Sequence, residues 1–367
     1  MKKLLYCCLI VGFVACKSTT PSQEKAPATA QWLFDGFEKV DSLNPILQPS
    51  TLEKFNCPIT GQPIAWSGKN VLNPAAIVKN DTVYLLFRSQ DSAMTSRLGI
   101  AVSSDGLHFT KMAQPVFYPD NDTMKKYEWK GGVEDPRLVE AEDGRYILTY
   151  TSYDGKTARL CLATSTDLLH WTKHGLVLSA PQYQQTWSKS GAIVAELHNG
   201  KMIAKKINGK YWMYFGDTQL FIASSTDLLH WEVLTDLESG KMTAVLHPRA
   251  GYFDSRLVEP GPYALYQNDG ILLMYNSSNA ANYNDTTLPK FTYSAGQALF
   301  SATKPYQLID RAKHYFLTPD KPYEKTGEVN NVCFAEGLVQ FKGKWFLYYG
   351  TADSRIAVAV KSLKPID

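Results

Sequence analysis

The sequence predicts an all-β protein, a five-bladed β-propeller, from an internal repeat and from the near absence of helical periodicity. The segment Ser103-Ser104-Asp105-Gly106-Leu107-His108-Phe109 recurs in similar form at 165–171 and 225–231, at spacings of 62 and 60 residues. An aromatic, β-branched run precedes each copy, and two further runs follow at 271–275 and 345–349. Five units that each contain several short strands indicate a propeller with about four strands per blade.

The order of elements is the same in every unit. A polar residue opens a short apolar strand, a turn leads to the aromatic strand, and a second turn leads to a strand of small residues. Hairpin turns are predicted at 79–81, 142–144, 208–209, 268–270 and 342–343. In the repeated segment, Ser and Asp suit hydrogen bonds to nearby backbone amides. We therefore predict structural rather than catalytic roles for His108, His170 and His230.

The amino-terminal residues predict export. Lys2 and Lys3 precede an apolar run of about eleven residues, whereas a membrane span needs ~20. The run ends in Phe13-Val14-Ala15-Cys16, which resembles the lipobox of bacterial lipoproteins; an ordinary secretory signal with an incidental cysteine is the alternative. We predict a signal peptide with lipidated Cys16 at 1–16, a flexible tether at 17–31 and the propeller at 32–367. The expected location is the periplasmic or cell-surface face of the outer membrane.

Composition excludes several classes of function. A net charge of +3 over 73 charged residues, without a basic block, argues against a nucleic-acid partner. Past the predicted anchor, Cys57, Cys161 and Cys333 lie far apart and without metal-ligand spacing, so we expect free thiols, no metal and no cofactor. Aromatic residues make up 12% of the chain, which suits a β-rich protein or one that stacks sugars. We expect a monomer whose only membrane contact is its lipid.

The residues that open each unit are the candidates for a site. In a propeller the innermost strands line the central channel, so their opening residues converge at one mouth. These residues are Asn73, Glu134-Asp135, Lys189-Ser190, Glu259 and Glu336. Clustered carboxylates repel one another and are costly to desolvate, so such a cluster indicates function. It could cleave glycosides with one acid and one base, bind a metal or hold a polyol.

Each candidate also has a structural alternative. Glu134 to Arg137 could be an Asp–Arg pair at a strand start, and Glu259 could be a solvated carboxylate before a Pro-Gly-Pro turn. Glu196 lies on the same alternating face as Ser190, but about ten extra residues in the third unit blur its placement. Glu336 could be a residue that closes the last blade.

These motifs together resemble those of glycoside hydrolase family 130, five-bladed propellers that phosphorolyse or hydrolyse β-mannosides. The resemblance covers about 43–361 and is carried by Gly131 to Arg137, 254–262 and 348–353, with Asn73 and Arg88. It implies that Asp135 is the general acid, relaying its proton through a mannose hydroxyl. It also implies that Asn73, Arg88, Lys189 and Asp353 hold the non-reducing sugar. We further expect substrate contacts from Glu134, Arg137, Asp217 and Glu336.

Departures from that family's phosphate-using members favour hydrolysis. Those members carry a His-Arg pair at the end of the third aromatic strand, where this chain has Phe215-Gly216-Asp217. They carry an Arg in the turn after the second, where this chain has Asp154-Gly155-Lys156. Phosphate needs cationic partners, which Asp217 would oppose. We therefore predict an exo-acting, inverting hydrolase for terminal β-mannosyl units, β-1,2-linked by resemblance, with Glu259 or Glu196 as base. A mannoside phosphorylase, a non-catalytic sugar-binding lipoprotein and a metal-dependent arabinan- or xylan-acting propeller are the alternatives.

Overall fold

The chain folds into successive antiparallel sheets that form a five-bladed β-propeller. This computed structural model describes residues 31–281 and 286–363. The predicted signal peptide, Cys16 and all of the predicted tether except Gln31 lie outside the described residues. Within the described residues, no helix has the length and apolar character needed to cross a membrane.

The strands follow the order predicted from the repeats, with additions before the first blade and in the third and fourth. Before the first blade lie β1 (Glu38–Lys39), β2 (Phe55–Asn56) and β3 (Pro63–Ile64). The first blade contains β4 (Asn70–Lys79), β5 (Thr82–Gln90), β6 (Ser96–Ser103) and β7 (Thr110–Lys111). The second follows helix α1 (Lys125–Glu128) and contains β8 (Gly132–Glu140), β9 (Tyr146–Tyr153), β10 (Ala158–Ser165) and β11 (Thr172–Leu176). The third follows a 3-10 turn (Pro181–Tyr183) and contains β12 (Ala192–His198), β13 (Lys201–Ala204), β14 (Tyr211–Phe215), β15 (Leu220–Ser225), β16 (Glu232–Val233) and β17 (Ala244–Leu246). The fourth contains β18 (Leu257–Pro260), β19 (Ala264–Gln267), β20 (Gly270–Ser278), β21 (Tyr293–Phe300) and β22 (Leu308–Arg311). The fifth follows α2 (Pro322–Lys325) and contains β23 (Cys333–Phe341), β24 (Lys344–Thr351) and β25 (Arg355–Ser362).

The hairpin turns within the blades are those predicted from the sequence. Strands β4 and β5 pair from Lys79 opposite Thr82 to Asn70 opposite Gln90. The two residues between them, Asn80 and Asp81, have φ of 49° and 53°, as the two-residue turns that match strand twist require. Left-handed residues also occupy the predicted turns at 208–209 and 342–343.

The repeated Ser-Asp-His segments are structural turns, as predicted. In the first copy, Asp105 accepts hydrogen bonds from the amides of Leu107 and His108 at 2.8 and 2.9 Å, and contacts the His108 ring at 2.8 Å. The other two copies repeat these contacts around Asp167 and Asp227. All three histidines are exposed at the ends of the third strands, and their bonds are local.

The fifth blade is closed by the amino-terminal strand, a feature that the repeats did not predict. Strand β1 pairs with β25, with Glu38 opposite Val360 and Lys39 opposite Ala359. The Asn44 side chain then bonds both the amide and the carbonyl of Val358 at 2.9 Å. Joining the two ends of the propeller in one sheet gives the fifth blade four strands, as in the first and second blades.

The core lies between adjacent blades and is anchored by the aromatic strands. One ring occupies the equivalent buried position in every blade: Phe87, Tyr150, Phe215, Tyr275 and Tyr349. In three blades the phenol contacts a buried carboxylate that also pairs with a cation of the outermost strand: Glu128 with Lys173, Asp254 with Arg311, and Glu324 with Lys39. These pairs fasten the segment before each blade to its edge, so we assign them to structure. Cys57, Cys161 and Cys333 are free and buried, as predicted.

The extra residues of the third blade form a hairpin of β12 and β13. Only Ala192 and Ile193 of β12 pair with β14, after which the strand turns to β13. The hairpin lies beside the fourth and second blades, since Val194 is opposite Ala264 and Ile203 is opposite Glu140. The innermost strand of this blade therefore has only a short stretch that is equivalent to the other blades.

Candidate active site

Three innermost strands carry a β-bulge where the sequence places a polar residue. The register shifts between Leu72 and Pro74 in β4, between Glu134 and Arg137 in β8, and between Ala335 and Gly337 in β23. The bulged residues are Asn73, Asp135 and Glu336. A bulge inserts one unpaired residue and re-aims its side chain, and such bulges are common beside active sites. The bulges therefore explain how separate blades turn polar groups toward one point.

Strained backbone marks the same region. Asn73, Asp135, Ser190 and Asp353 have φ of 45°, 47°, 59° and 49°. Residues other than glycine seldom adopt this left-handed conformation, and it persists where surrounding structure imposes it. The four residues belong to four different blades or their connections, so the strain is distributed around one channel mouth.

Asp135 is the centre of the cluster. Its Oδ1 accepts hydrogen bonds from Asn73 Nδ2 at 2.9 Å and Arg88 Nη1 at 3.0 Å, and its Oδ2 lies 3.3 Å from Lys189 Nζ. Burial alone would raise the pKa of Asp135, but Arg88 and Lys189 outweigh burial and hold that pKa well below its usual range. The two cations therefore favour the ionised form of Asp135.

Arg88 binds both carboxylates of the Glu134-Asp135 pair. Its Nη2 donates to Glu134 Oε1 at 2.7 Å, and its Nε donates to Ser96 Oγ at 3.0 Å. Ser96 in turn donates to Glu134 at 3.1 Å. Burial raises the pKa of Glu134 despite the charge of Arg88. Ser96 was not predicted, because a serine inside a strand gives no sequence signal of its contacts.

Glu259 lies on the other side of Lys189. Its Oε1 accepts a hydrogen bond from Ser190 Oγ and lies 3.7 Å from Lys189 Nζ. Lys189 thus bridges Asp135 and Glu259, whose facing oxygens are at most 7.0 Å apart, the sum of its distances to them. Burial raises the pKa of Glu259, with Lys189 opposing, which makes it a stronger base.

Asp353 and Tyr293 are two further titratable groups that interact with the cluster at the channel mouth. Burial raises the pKa of Asp353 to about 6, with Arg88 opposing and Asp135 adding to the rise. Burial also raises the pKa of Tyr293, and the charges of Glu259 and Asp353 contribute. Tyr293 is a further residue that sequence analysis missed, since it opens β21, a strand that was not expected to reach the channel.

The cluster holds more acids than bases. Five carboxyl groups (Glu134, Asp135, Glu259, Glu336 and Asp353) face three cations (Arg88, Arg137 and Lys189), and electrostatic interactions link members of the two sets. Full ionisation would leave two uncompensated negative charges in a buried site, which is costly. This imbalance adds to the effect of burial in raising the pKa of Glu134, Glu259, Glu336 and Asp353.

Arg137 and Glu336 form a buried pair beside Asp135, and the expectation that they contact substrate stays a prediction. Arg137 is 2% exposed and donates to the carbonyls of Asp135, Pro260 and Gly261 at 2.9, 2.6 and 3.0 Å. It therefore ties the second blade to the fourth. Its Nη1 lies 2.5 Å from Glu336 Oε1, although neither carboxyl oxygen has a hydrogen bond of good geometry. Burial raises the pKa of Glu336 well above its usual range.

The structure does not place Glu196 in the site, contrary to its expected role as an alternative base. Glu196 lies in β12 opposite Ile203, and its Oε2 is 2.6 Å from Lys205 Nζ. It is six residues beyond Ser190, about 20 Å along an extended strand. The β12–β13 hairpin carries it toward the opposite end of the channel, where Glu140 ends β8.

Asp217 lies at the rim rather than in the cluster. Its Oδ2 accepts a hydrogen bond from Trp187 Nε1 at 2.6 Å. The preceding Gly216 donates its amide to the carbonyl of Lys189 at 2.9 Å, and the charge of Asp217 contributes to the raised pKa of Glu259. Among the described residues, no group of three or more His, Cys, Asp or Glu side chains has the arrangement of a metal site.

Comparison with known proteins identifies relatives across the whole propeller. Residues 37–366 match the glycosyl hydrolase family 130 model, described as beta-1,4-mannooligosaccharide phosphorylase. A 1,2-beta-oligomannan phosphorylase of Thermoanaerobacter sp. is 31% identical over 82% of this chain and 93% of that protein. A putative glycosidase structure from Bacteroides thetaiotaomicron is 44% identical, with a TM-score of 0.89, over 92% of this chain and 99% of that chain. Another structure, 41% identical with a TM-score of 0.89 over 93% and 99%, is described as follows: "The GH130 family of mannoside phosphorylases contains glycoside hydrolases that target beta-1,2 mannosidic linkages in Candida mannan".

Proposed function

This chain belongs to glycoside hydrolase family 130, and we propose that it removes terminal β-mannosyl units with inversion, using water as the nucleophile. The observation that carries the proposal is the pair of carboxylates bridged by Lys189, Asp135 at 3.3 Å and Glu259 at 3.7 Å. One carboxylate on each side of the bound sugar can divide the work of acid and base.

The non-reducing mannose is held by polar groups, three of which contact Asp135. Asn73, Arg88, Lys189 and Asp353 supply amide, guanidinium, ammonium and carboxylate partners for its hydroxyls. The Asn73 Oδ1 atom is buried, and no described residue provides it with a hydrogen bond. Because an unpaired buried acceptor is costly, a sugar hydroxyl that donates to it would be bound favourably.

The reaction needs one proton at the leaving oxygen and one base for water. As the bond between the anomeric carbon and the glycosidic oxygen breaks, Asp135 supplies a proton to that oxygen through a hydroxyl of the bound mannose. Glu259 accepts a proton from the attacking water, whose oxygen bonds to the anomeric carbon from the opposite face. Asp135 must first gain a proton, and the sugar favours this by excluding water and engaging Arg88 and Lys189. This proton comes from the neighbouring carboxyl groups whose pKa is raised.

The negative charge around Lys189 favours water over phosphate as the nucleophile. Glu259 and Asp217 both place negative charge near Lys189, and both contribute to its raised pKa. A phosphate dianion there would meet that repulsion and compete with two carboxylates for one ammonium group. A base is also needed for water, whereas phosphate is already a nucleophile.

Phosphorolysis is the second candidate, and the names of characterised relatives favour it. The family model and the Thermoanaerobacter relative are both described as phosphorylases. Lys189 is a cation at the mouth and Lys156 lies in the turn after β9, where either could attract phosphate. The structure described as targeting beta-1,2 linkages supports that linkage as the first substrate to test.

The deciding experiment is turnover of β-1,2-mannobiose with and without phosphate. We expect mannose to be released in phosphate-free buffer, no mannose 1-phosphate when phosphate is added, and α-mannose as the first anomer in the proton NMR spectrum. A rate that depends on phosphate would establish the second candidate instead. Binding without any product would favour a non-catalytic sugar-binding protein.

The place of this activity is part of the proposal. A lipid on Cys16 would hold the propeller at the periplasmic or surface face of an outer membrane, where oligosaccharides arrive from outside the cell. Hydrolysis suits that location, because the energy stored in a sugar phosphate is conserved only when the product forms inside the cell.

A further inference from the structure

An exposed tryptophan stands at the rim of the carboxylate cluster. All eight tryptophans of the chain lie in the described residues, and Trp187 is the only one that is exposed, at 49%. Exposing half of a large indole forgoes the stabilisation that its burial would provide. Because Trp187 lies near the site, we expect a ligand to cover its exposed ring.

Trp187 is held in place rather than free to rotate. Its Nε1 donates to Asp217 Oδ2 at 2.6 Å, and its ring meets the Tyr153 ring edge-on, with 6.3 Å between centroids and planes at 67°. Tyr153 is itself fixed, because a Cβ atom on Gly131 would lie only 2.2 Å from the Tyr153 ring. Such restraint reduces the entropy that a ligand must overcome on binding.

Connections along the chain place Trp187, Asp217 and Tyr153 beside the carboxylate cluster. Trp187 is two residues before Lys189, and Asp217 follows Gly216, whose amide bonds the Lys189 carbonyl at 2.9 Å. Tyr153 is opposite Gly132, two residues before Glu134. Trp187, Asp217 and Thr218 line an open depression at the surface. The depression therefore lies close to Lys189, and none of the five carboxyl groups of the cluster is among the residues that line it.

We propose that Trp187 is a stacking platform for the second sugar of the substrate, the one that leaves on cleavage. An aromatic face packs against the C–H face of a pyranose, and Asp217 Oδ1 can accept a hydrogen bond from one of its hydroxyls. This inference rests on the proposed function, because it assumes that the first sugar is bound beside Asp135. It predicts that Trp187 and Asp217 give the enzyme a preference for oligosaccharides over simple mannosides.

Calorimetry in an inactive background tests the platform. Mannose and β-1,2-mannobiose are titrated into Asp135→Asn and into the same variant carrying Trp187→Ala, Trp187→Phe or Tyr306→Ala. Tyr306 is the matched control, an exposed aromatic at 44% that packs on Trp212 in another part of the surface. We expect Trp187→Ala to weaken mannobiose binding at least tenfold and mannose binding less than twofold. Trp187→Phe should restore most of the loss, and Tyr306→Ala should change neither affinity.

Two outcomes overturn the inference separately from the proposed function. If Trp187→Ala leaves mannobiose affinity unchanged while Asp135→Asn binds both sugars, the platform is wrong and the proposed function stands. If Trp187→Ala weakens mannose as much as mannobiose, Trp187 acts on the first sugar and the inference is also wrong. If neither sugar binds Asp135→Asn and the wild-type enzyme turns over no β-mannoside, the proposed function fails and the inference falls with it.

Discussion

Replacing Arg137 by Met should destabilise the propeller strongly, because this guanidinium joins two blades in the interior. The side chain is 2% exposed and donates to three backbone carbonyls at 2.6–3.0 Å. Its Nη1 lies 2.5 Å from Glu336, whose side chain is fully buried. Met retains much of the volume and none of the donors, so the substitution isolates the polar contribution.

The expected loss follows from what the substitution leaves behind. Removing one partner of a buried ion pair costs about 3–5 kcal/mol, because the other charge remains uncompensated. The three carbonyls that lose their donor push the expected loss of stability toward the upper end of this range. At roughly 2–4 °C per kcal/mol, the melting temperature should fall by about 6–20 °C. Burial already raises the pKa of Glu336, and losing Arg137 raises it further. Since Glu336 then binds a proton more tightly folded than unfolded, the penalty should grow as pH rises from 5 to 8.

Urea unfolding of four variants, Arg137→Met, Glu336→Gln, their double variant and Arg145→Met, separates this explanation from others. Arg145→Met is the matched control, since Arg145 pairs with Asp143 at 2.8 Å with both side chains at least 36% exposed and should contribute no more than about 1 kcal/mol. The double variant Arg137→Met/Glu336→Gln should recover part of the loss, because no charge is left unpaired. If Arg137→Met costs no more than Arg145→Met, or the double variant is as unstable as the sum of its singles, the role of Arg137 in joining the two blades is wrong.

Further predictions concern chemistry, pH and location. Asp135→Asn should abolish turnover in product assays with little change in melting temperature, and residual activity near wild type would contradict its role as acid. Glu259→Gln should lower kcat at least ~10²-fold. Glu196 is distant and pairs with Lys205 at 2.6 Å, so the kcat of Glu196→Gln should stay within twofold of wild type in the same assay. The reverse pattern would reassign the base to Glu196. Because Asp353 has a pKa of about 6 and is ionised above it, kcat/KM should decline below about pH 6, and Asp353→Asn should remove that limb of the profile while lowering its plateau. Cys16→Ala should move the protein from the membrane to the soluble fraction of cells, and unchanged fractionation would refute the lipid anchor.

Much of the fold was determined by local sequence patterns. The 60-residue period, the Asn-Asp and Asn-Gly turns and the Ser-Asp-His segments each depend on residues a few positions apart, so the sequence alone predicts them. The convergence of Asn73, Asp135, Lys189 and Glu259 was also predictable, because the repeat makes their positions equivalent. The structure adds that a bulge and left-handed backbone turn the side chains of Asn73 and Asp135 into the channel.

Contacts between distant segments were decided by the tertiary structure alone. The pairing of β1 with β25 closes the propeller through residues more than 300 positions apart, and no local pattern specifies such a partner. The hairpin that removes Glu196 from the site depends on a parallel neighbour in each of two other blades. Arg137 donates to the carbonyls of Pro260 and Gly261, more than 120 positions away along the chain. No local pattern specifies such partners, because they are properties of the assembled blades rather than of the sequence around Arg137.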